Sequence, residues 1–480
     1  MNKLSKDIII STAFSFFNVL FNFWLIKEAE FTLSVVHLGV FLYVRRIAPT
    51  FSNFSQLGTS QALIRFTSID KDNKSKLKIY YILSISIWIL MSGILLGIYA
   101  LFHTYLSGYF PEEIAEEILK ITFVYISILH LSYIILPYFL NLRKIFTYNM
   151  IQLLIASLIL LFVFKFFTIE NDLILLFKNA LSVIVLLLLL LLTYIIITLK
   201  LYIFPRFQEI KTVGKDFIEY GLPRSIITFS DMFLLTVGAM MIHGKDEIIG
   251  GFLIGITLSR TILIVLQPVS LLSAVISGHK NSEERHETLV NLLVGGTLYI
   301  AILTSVVLFN WVDVLLPLWL KNEEIIVLVV FIFKLLSLGL VPYAIFQVLK
   351  GIIEVKFFKP LNLISLAIAI ATHVVMYYSL KSTIGTIEAL SISLMCSFVL
   401  LGFFSLYWNR KYLKSHKYFK IIPLLALNVL LFLINFAIHD FYPNFLGFVI
   451  SGFISSILFL AYSIKIKSPF IKEAILIFKK

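Results

Sequence analysis

A single cysteine, Cys396, occurs in the 480 residues, and it sits in an apolar run. An intramolecular disulfide and a cysteine-rich metal site are both excluded. Charge is scarce as well: 14% of residues are charged, against roughly a quarter in soluble domains. Acids are fewer than bases, 27 against 40. No segment between apolar runs approaches domain size. An enzyme working on glycans outside the cytoplasm needs a large external loop or clustered catalytic acids, and neither is present. Gly214-Lys215 and Gly244-Lys245 lack the upstream glycine of a phosphate loop, so no ATPase is implied. Glu284-Arg285-His286-Glu287 has no second histidine at metal spacing, and His130 and His373 stand alone in apolar runs, where a structural role is expected. No metal or other cofactor is expected.

What fills the chain instead is apolar. Hydrophobic residues make up 60%, and the mean hydropathy is +0.98. A soluble protein could not cover such a surface, but lipid accepts apolar side chains all round a helix. A spanning helix needs about 20 apolar residues. Runs of that kind lie near 8–26, 36–57, 79–102, 119–140, 147–167, 173–199, 219–242, 248–272, 288–310, 325–349, 360–380, 386–407, 421–438 and 445–464. The expectation is an all-α membrane protein of about fourteen transmembrane helices. The first run has no A-x-A cleavage site and reads as a retained helix, not a signal peptide.

Charge sets the orientation. With fourteen spans both termini share a side, and that side holds 28 of the 40 Lys and Arg; the other holds six, among them Lys27, Lys120 and Lys165. Basic loops stay inside, so both termini are expected in the cytoplasm and the basic surface against anionic inner-leaflet lipids. The bases are spread over eight separate cytoplasmic segments, which argues against nucleic acid.

The segment 201–218, with Pro205 and Gly214, reads as a cytoplasmic linker between an N-terminal six-helix bundle (1–200) and a C-terminal one (219–407); 408–480 reads as a helix pair with a basic tail. Leu38-Gly39-Val40-Phe41-Leu42 and Ile249-Gly250-Gly251-Phe252-Leu253 each open the second helix of their half. Halves of six helices share an orientation, so a pseudo-two-fold along the membrane normal is expected, with a site between them.

Six bases fall inside predicted spans: Arg45, Arg46, Lys178, Arg224, Arg260 and Lys334. Lys178 lies near an outer end, where it can snorkel. Lys334 is deeper and reads equally as cavity-lining or structural. The arginines are costlier. At about 2.5–3.5 kcal/mol each, four would cost on the order of 10–14 kcal/mol if they faced lipid. They must face water, an acid or an anion. Asp231 is the one acid deep in a predicted span, so carboxylates cannot balance them all. Two readings follow: hydrogen bonding to backbone carbonyls and Asp231, or a wet, anion-binding cavity, which the shortage of acids favours. The first helix adds a stripe, Ser11, Ser15, Asn18 and Asn22, on one face, which suits a cavity wall or helix–helix hydrogen bonding equally. On the second helix Arg46, Thr50 and Asn53 share a face, as do Arg45, Ser52 and Gln56; on the seventh, Arg224, Thr228 and Asp231 do. Pro49, Pro268 and Gly221-Leu222-Pro223 supply helix breaks nearby.

His37 to Phe66 and Tyr220 to Ile242 resemble the polysaccharide transporter branch of the multidrug/oligosaccharidyl-lipid/polysaccharide (MOP) exporter superfamily, which includes the MATE transporters, and within it the Wzx-type repeat-unit flippases. The likeness rests on Gly39 opening the second helix, Leu57-Gly58 and Ala62-Leu63-Ile64-Arg65 closing it, Gly221-Leu222-Pro223 with Asp231 in the seventh, and Asn141-Leu142-Arg143-Lys144 ending the fourth. The first external loop, Lys27 to Val36, lacks the arginine-containing segment frequent in that family. The resemblance implies a flippase of the bacterial plasma membrane that moves undecaprenyl-pyrophosphate-linked oligosaccharide, of O-antigen or capsule type, from inner to outer leaflet by alternating access. A glycan polymerase and a chain-length regulator would be partners. Arg45, Arg46, Arg224 and Arg260, with Asn18, Asn22, Asn53 and Lys334, are the expected substrate contacts, because arginine forks bind phosphate oxygens in pairs. Asp231 is expected as a counter-ion or as a coupling site for H⁺ or Na⁺. The alternatives are a multidrug or other lipid-linked precursor exporter and, further off, a membrane glycan polymerase.

Overall fold

The computed structural model describes residues 3–70, 73–167, 172–203, 205–242, 248–264, 283–356, 360–411, 413 and 421–465. Pro268 and Lys245 lie outside them. The described residues are helical with no strand, and the helices fall into two compact units, Met1–Leu253 and Ile254–Lys480. Among the described residues eleven helices are long and apolar enough to cross a membrane, and two more carry shorter apolar stretches, Ile248–Thr261 and Ala426–Phe441. The protein is a multi-pass membrane protein. Side chains such as Leu96, Leu101 and Phe453 are exposed on helices of this kind, as lipid-facing residues are.

The first unit contains α1 (Lys3–Thr32), α2 (Val35–Ser55), α3 (Thr59–Ile69), α4 (Lys74–Ser107), α5 (Ala115–Asn141), α6 (Ile145–Leu153), a π turn (Leu154–Leu158), α7 (Ile159–Phe167), α8 (Leu173–Leu199) and α9 (Phe207–Ile242). The boundary between units falls in α10 (Ile248–Ile264). α2 is not among the eleven, because its arginines, serines and Asn53 lower its hydropathy. Most of its residues are instead buried against neighbouring helices. Ser34 caps its start, accepting from the His37 N–H at 3.3 Å, and satisfies a donor that the first helical turn leaves free.

Two close backbone approaches shape this unit. Leu57 and Gly58 turn the chain with φ of 48° and 78°, a conformation that costs other residues more than glycine. A Cβ on Gly58 would fall on the Gly221 carbonyl of α9. Gly39 and Gly250 also approach, but less tightly: a Cβ on Gly250 would make ordinary van der Waals contact, 3.5 Å from the Gly39 Cα. The two helix-opening glycine motifs of the sequence thus touch each other, and two of the family-like motifs pack together.

The helices exceed the predicted runs in three places. Residues 59–69, beyond the predicted 36–57 run, form a separate helix, α3. The segment 201–218 is helical from Phe207 onward. Gly221-Leu222-Pro223, near the start of the predicted 219–242 run, therefore lies inside α9. Proline is tolerated there although it removes one ladder hydrogen bond.

The second unit holds the rest of α10, then α11 (Glu283–Leu315), a short 3₁₀ turn (Leu316–Leu318), α12 (Glu323–Lys356), α13 (Leu361–Ile384), α14 (Thr386–Trp408), α15 (Ile421–Phe441) and α16 (Phe445–Lys465). α12 and α14 pack through stacked Tyr343 and Phe398, with centroids 4.2 Å apart. The final pair, α15 and α16, is fastened to α11 by a buried polar cluster. Trp311 Nε1 donates to Ser451 Oγ at 2.8 Å and to Asn435 Oδ1 at 3.2 Å, and Asn435 Nδ2 donates to Ser455 Oγ at 2.8 Å. Side chains of this kind join helices in lipid, where apolar contact alone discriminates little.

Candidate functional site

In the first unit α2 carries Arg45 into the helix bundle. Its Nη2 donates to Asn22 Oδ1 of α1 at 2.8 Å and to the Ala156 carbonyl at 2.9 Å. The guanidinium carbon lies 5.4 Å from the Phe41 ring centroid. Ala156 belongs to the π turn, where Ile159 N–H bonds Leu154 O in the i+5 pattern. Such turns interrupt the regular ladder and recur at functional sites; here a carbonyl of the turn takes the arginine.

Arg45 opens on a cavity of about 360 Å³ enclosed by α1, α2, α3, α5 and the α6–π segment. α2 contributes Arg45, Pro49, Asn53 and Gln56, which recur at helical spacing along one face. α5 contributes Tyr125, Ser132 and Tyr133 among apolar neighbours, the α6–π segment Tyr148 and Gln152, and α3 Ser60 and Gln61. Among the described residues Arg45 is the one charged residue in the wall, with no Asp or Glu. The wall is also internally braced. Asn53 Nδ2 donates to the Pro49 carbonyl at 2.8 Å, and Gln56 Nε2 to Asn53 Oδ1 at 3.0 Å.

Asn22, Arg45 and Asn53 are therefore brought together, although spacing alone placed Asn53 beside Arg46. Asn18 stands further along the α1 stripe, where its Oδ1 accepts from Ser157 at 3.4 Å; Ser11 likewise meets Asn149 at 3.3 Å. Part of that stripe thus ties α1 to the α6–π segment. Arg46 and Asp231 are half-buried and do not line the cavity. Thr50, which follows Arg46 by one turn, bonds Thr236 of α9 at 2.9 Å, and Ser225 of α9 donates to the Asn53 carbonyl at 2.7 Å.

Arg224 is elsewhere in the unit. It folds back on α9, donating Nη1 to the Tyr220 carbonyl at 3.0 Å with its guanidinium carbon 3.7 Å from the Tyr220 ring centroid. Arg65 of α3 lies 4.4 Å from the same centroid. Two guanidinium groups thus share one ring, an arrangement whose attraction comes from the ring quadrupole.

In the second unit Arg260 is half-buried, and its Nε is buried with no hydrogen-bond partner among the described residues. Lys334 lies 3.4 Å from Asp313, and His439 approaches the other Asp313 oxygen at 3.3 Å. Asp313 lies beyond the end of the predicted 288–310 run, so the sequence reading did not count it among the deep acids. Lys178 pairs with Glu117 at 2.8 Å with both side chains well exposed. His130 and His373 are buried against Ser55 and Ser393. The sequence reading also passed over Tyr125, Tyr133, Tyr148 and Gln152. Tyr148 and Gln152, one turn apart on one helix face at the start of a mostly apolar run, are the available signal.

No protein-family model matches the chain, and no curated protein matches it. Solved structures do. One described as "Lipid II flippase MurJ, inward closed conformation" aligns over 97% of this chain and 100% of that one, with a TM-score of 0.71 at 14% identity. An inward-facing multidrug resistance MATE family transporter of the MOP superfamily aligns over 84% of this chain and 97% of its own, with a TM-score of 0.62 at 17% identity. A MOP superfamily transporter from Pyrococcus furiosus, described by the phrase "Reverse polarity of binding pocket suggests different function", aligns over 85% and 95%, with a TM-score of 0.56 at 14% identity. At these identities the likeness is one of fold. The chain has the all-helical, MATE-like architecture of MOP superfamily transporters that its sequence led us to expect.

Proposed function

We propose that the protein is a flippase that moves undecaprenyl-pyrophosphate-linked oligosaccharide repeat units from the inner to the outer leaflet of the bacterial plasma membrane by alternating access. The observation that carries this reading is Arg45, fixed by Asn22 and Ala156 in a cavity of mixed polar and apolar lining that has no carboxylate among the described residues. A cation buried without an acid is costly unless water or an anionic ligand offsets it. The architecture supports the same reading, because the chain shares its fold along almost its whole length with a lipid II flippase. Arg46, Arg224 and Arg260 are the further basic contacts for pyrophosphate or acidic sugars, and Asn18, Asn22, Asn53 and Lys334 the polar ones. The polyprenyl chain stays in lipid. Asp231 acts as a counter-ion within the basic set, with H⁺ or Na⁺ coupling as its alternative role. A polymerase and a chain-length regulator would take the product on the outer side, and anionic inner-leaflet lipids would contact the basic loops.

The fold is shared with multidrug transporters too, which keeps drug export as a second reading. Cationic drugs call for buried acids, and the Arg45 cavity presents the opposite sign. Proteoliposomes holding the purified chain separate the two. Translocation of a fluorescent undecaprenyl-pyrophosphate oligosaccharide is expected, and it should fall by at least about ten-fold in Arg45→Ala, because charge-assisted contacts are worth roughly 1.5–3 kcal/mol. Efflux of a cationic dye with no lipid translocation would reverse the choice.

A further inference from the structure

The cavity of the first unit has a length as well as a charge. Along α2 its wall runs from Arg45 to Gln56, about 16 Å of helix at 1.5 Å per residue. Along α5 it runs from Tyr125 to Pro137, about 18 Å by the same rise. It is an elongated space of about 360 Å³ with its one cation at one end and uncharged amides, Gln56 and Gln61, toward the other. Both hydrogen bonds of Arg45 to Asn22 and Ala156 are made by Nη2, so Nη1 and Nε contribute to neither.

Each feature narrows the ligand. A small inorganic anion would leave most of the volume unused. A pyrophosphate is best held by several cations, and here there is one. A polyprenyl chain would pack on the apolar part of the wall, Ile64, Leu129 and Ile155 among it, but would leave Arg45 and the amides without partners, and a cationic drug meets the wrong charge. A run of sugar rings fits: its hydroxyls exchange hydrogen bonds with amide and tyrosine groups, and its apolar ring faces pack on tyrosine rings. A carboxylate is the group that would offset a lone guanidinium.

We propose that this cavity, within the first unit alone, is a saccharide subsite that holds a short extended stretch of the glycan with a carboxylate-bearing sugar against Arg45. The proposal rests on the flippase reading and adds to it the location of the sugars and the chemical class of one of them.

The test uses the full-length protein in nanodiscs, titrated calorimetrically with trigalacturonic acid and with its carboxyl-reduced, neutral counterpart. The acidic trisaccharide is expected to bind about ten-fold tighter or more. Arg45→Gln should lower the acidic affinity about ten-fold and the neutral affinity much less, closing most of the gap, and Gln61→Leu should weaken both ligands alike. An unaltered unfolding midpoint and a monodisperse profile establish that each variant is folded. Equal binding of the two sugars to the unaltered protein, no binding of either, or an Arg45→Gln effect equal for both overturns the subsite. Translocation of lipid-linked oligosaccharide by the same preparation is scored separately. Translocation without sugar binding removes the subsite and leaves the flippase, whereas sugar binding without translocation does the reverse.

Discussion

Arg45 shows how one residue can be both costly and fixed. Its guanidinium is held by a side-chain oxygen and a backbone carbonyl, acceptors that orient the charge without neutralising it. Asn22→Ala should therefore leave the charge in the bundle but loosen its position. Transport is expected to fall less than in Arg45→Ala, and Asn22→Asp, which would pair with the arginine, is expected to abolish it while raising the unfolding temperature; the two assays run side by side check this. Asp70, after the end of α3, works differently. The Lys76 ammonium at 2.8 Å, followed by the Tyr80 hydroxyl at 2.6 Å, holds its carboxyl below the usual carboxylate range. Its ionised form is thus favoured in the folded protein. The stabilisation is fully present above the ordinary value of about 3.9 and is lost as pH falls through the lowered one. The stability gap between the unaltered protein and Asp70→Asn should be constant near neutral pH and shrink on acidification below about pH 4, as read by thermal unfolding in detergent.

Between elements, the decisive contacts are those where backbones meet. The α2–α3 turn fits because Gly58 has φ of 78° and presents no Cβ to the Gly221 carbonyl. Gly58→Ala combines left-handed strain, about 1 kcal/mol or more, with a collision against backbone that cannot rotate away. We expect a larger drop in unfolding temperature than for Gly221→Ala, whose Cβ would come 2.9 Å from the Gly58 carbonyl, and the pair measured together checks the order. The aromatic group Phe66, Tyr80, Phe217 and Tyr220 then ties α3, α4 and α9 into one packed corner. That corner exists because α3 is a helix, which the polar stretch after Gly58 concealed in the sequence: apolar Ile64, Phe66 and Ile69 are interleaved with polar residues over too short a distance to read as a span.

Across the molecule, the appended pair α15–α16 depends on one indole. Trp311 is fully buried and donates to both Asn435 and Ser451. Trp311→Phe keeps an aromatic ring and loses the donor, so Asn435 Oδ1 and Ser451 Oγ, which also bond each other, each lose one buried partner. A destabilisation of roughly 1–3 kcal/mol is expected, with limited proteolysis in detergent releasing the 421–465 segment before the rest of the second unit.

Hydropathy and the count of bases determined that this is a multi-pass helical protein, because the transfer of each apolar run into lipid depends on its composition and length and hardly on its neighbours. The glycine and proline motifs marked where helices meet, because a missing Cβ or N–H is a property of the residue itself. Which arginine faces which space was left to the tertiary structure. Arg45, Arg46 and Arg224 are alike as bases within predicted spans, yet one lines a cavity, the next lies off it and the third folds back onto Tyr220. A one-residue step turns a side chain by about 100° around its helix, so Arg45 and Arg46 face different neighbours, which only the packing of those neighbours identifies. The π turn that supplies the Ala156 carbonyl, and the pairing of Lys334 with Asp313 from another helix, arise from packing between distant segments, which no local pattern encodes.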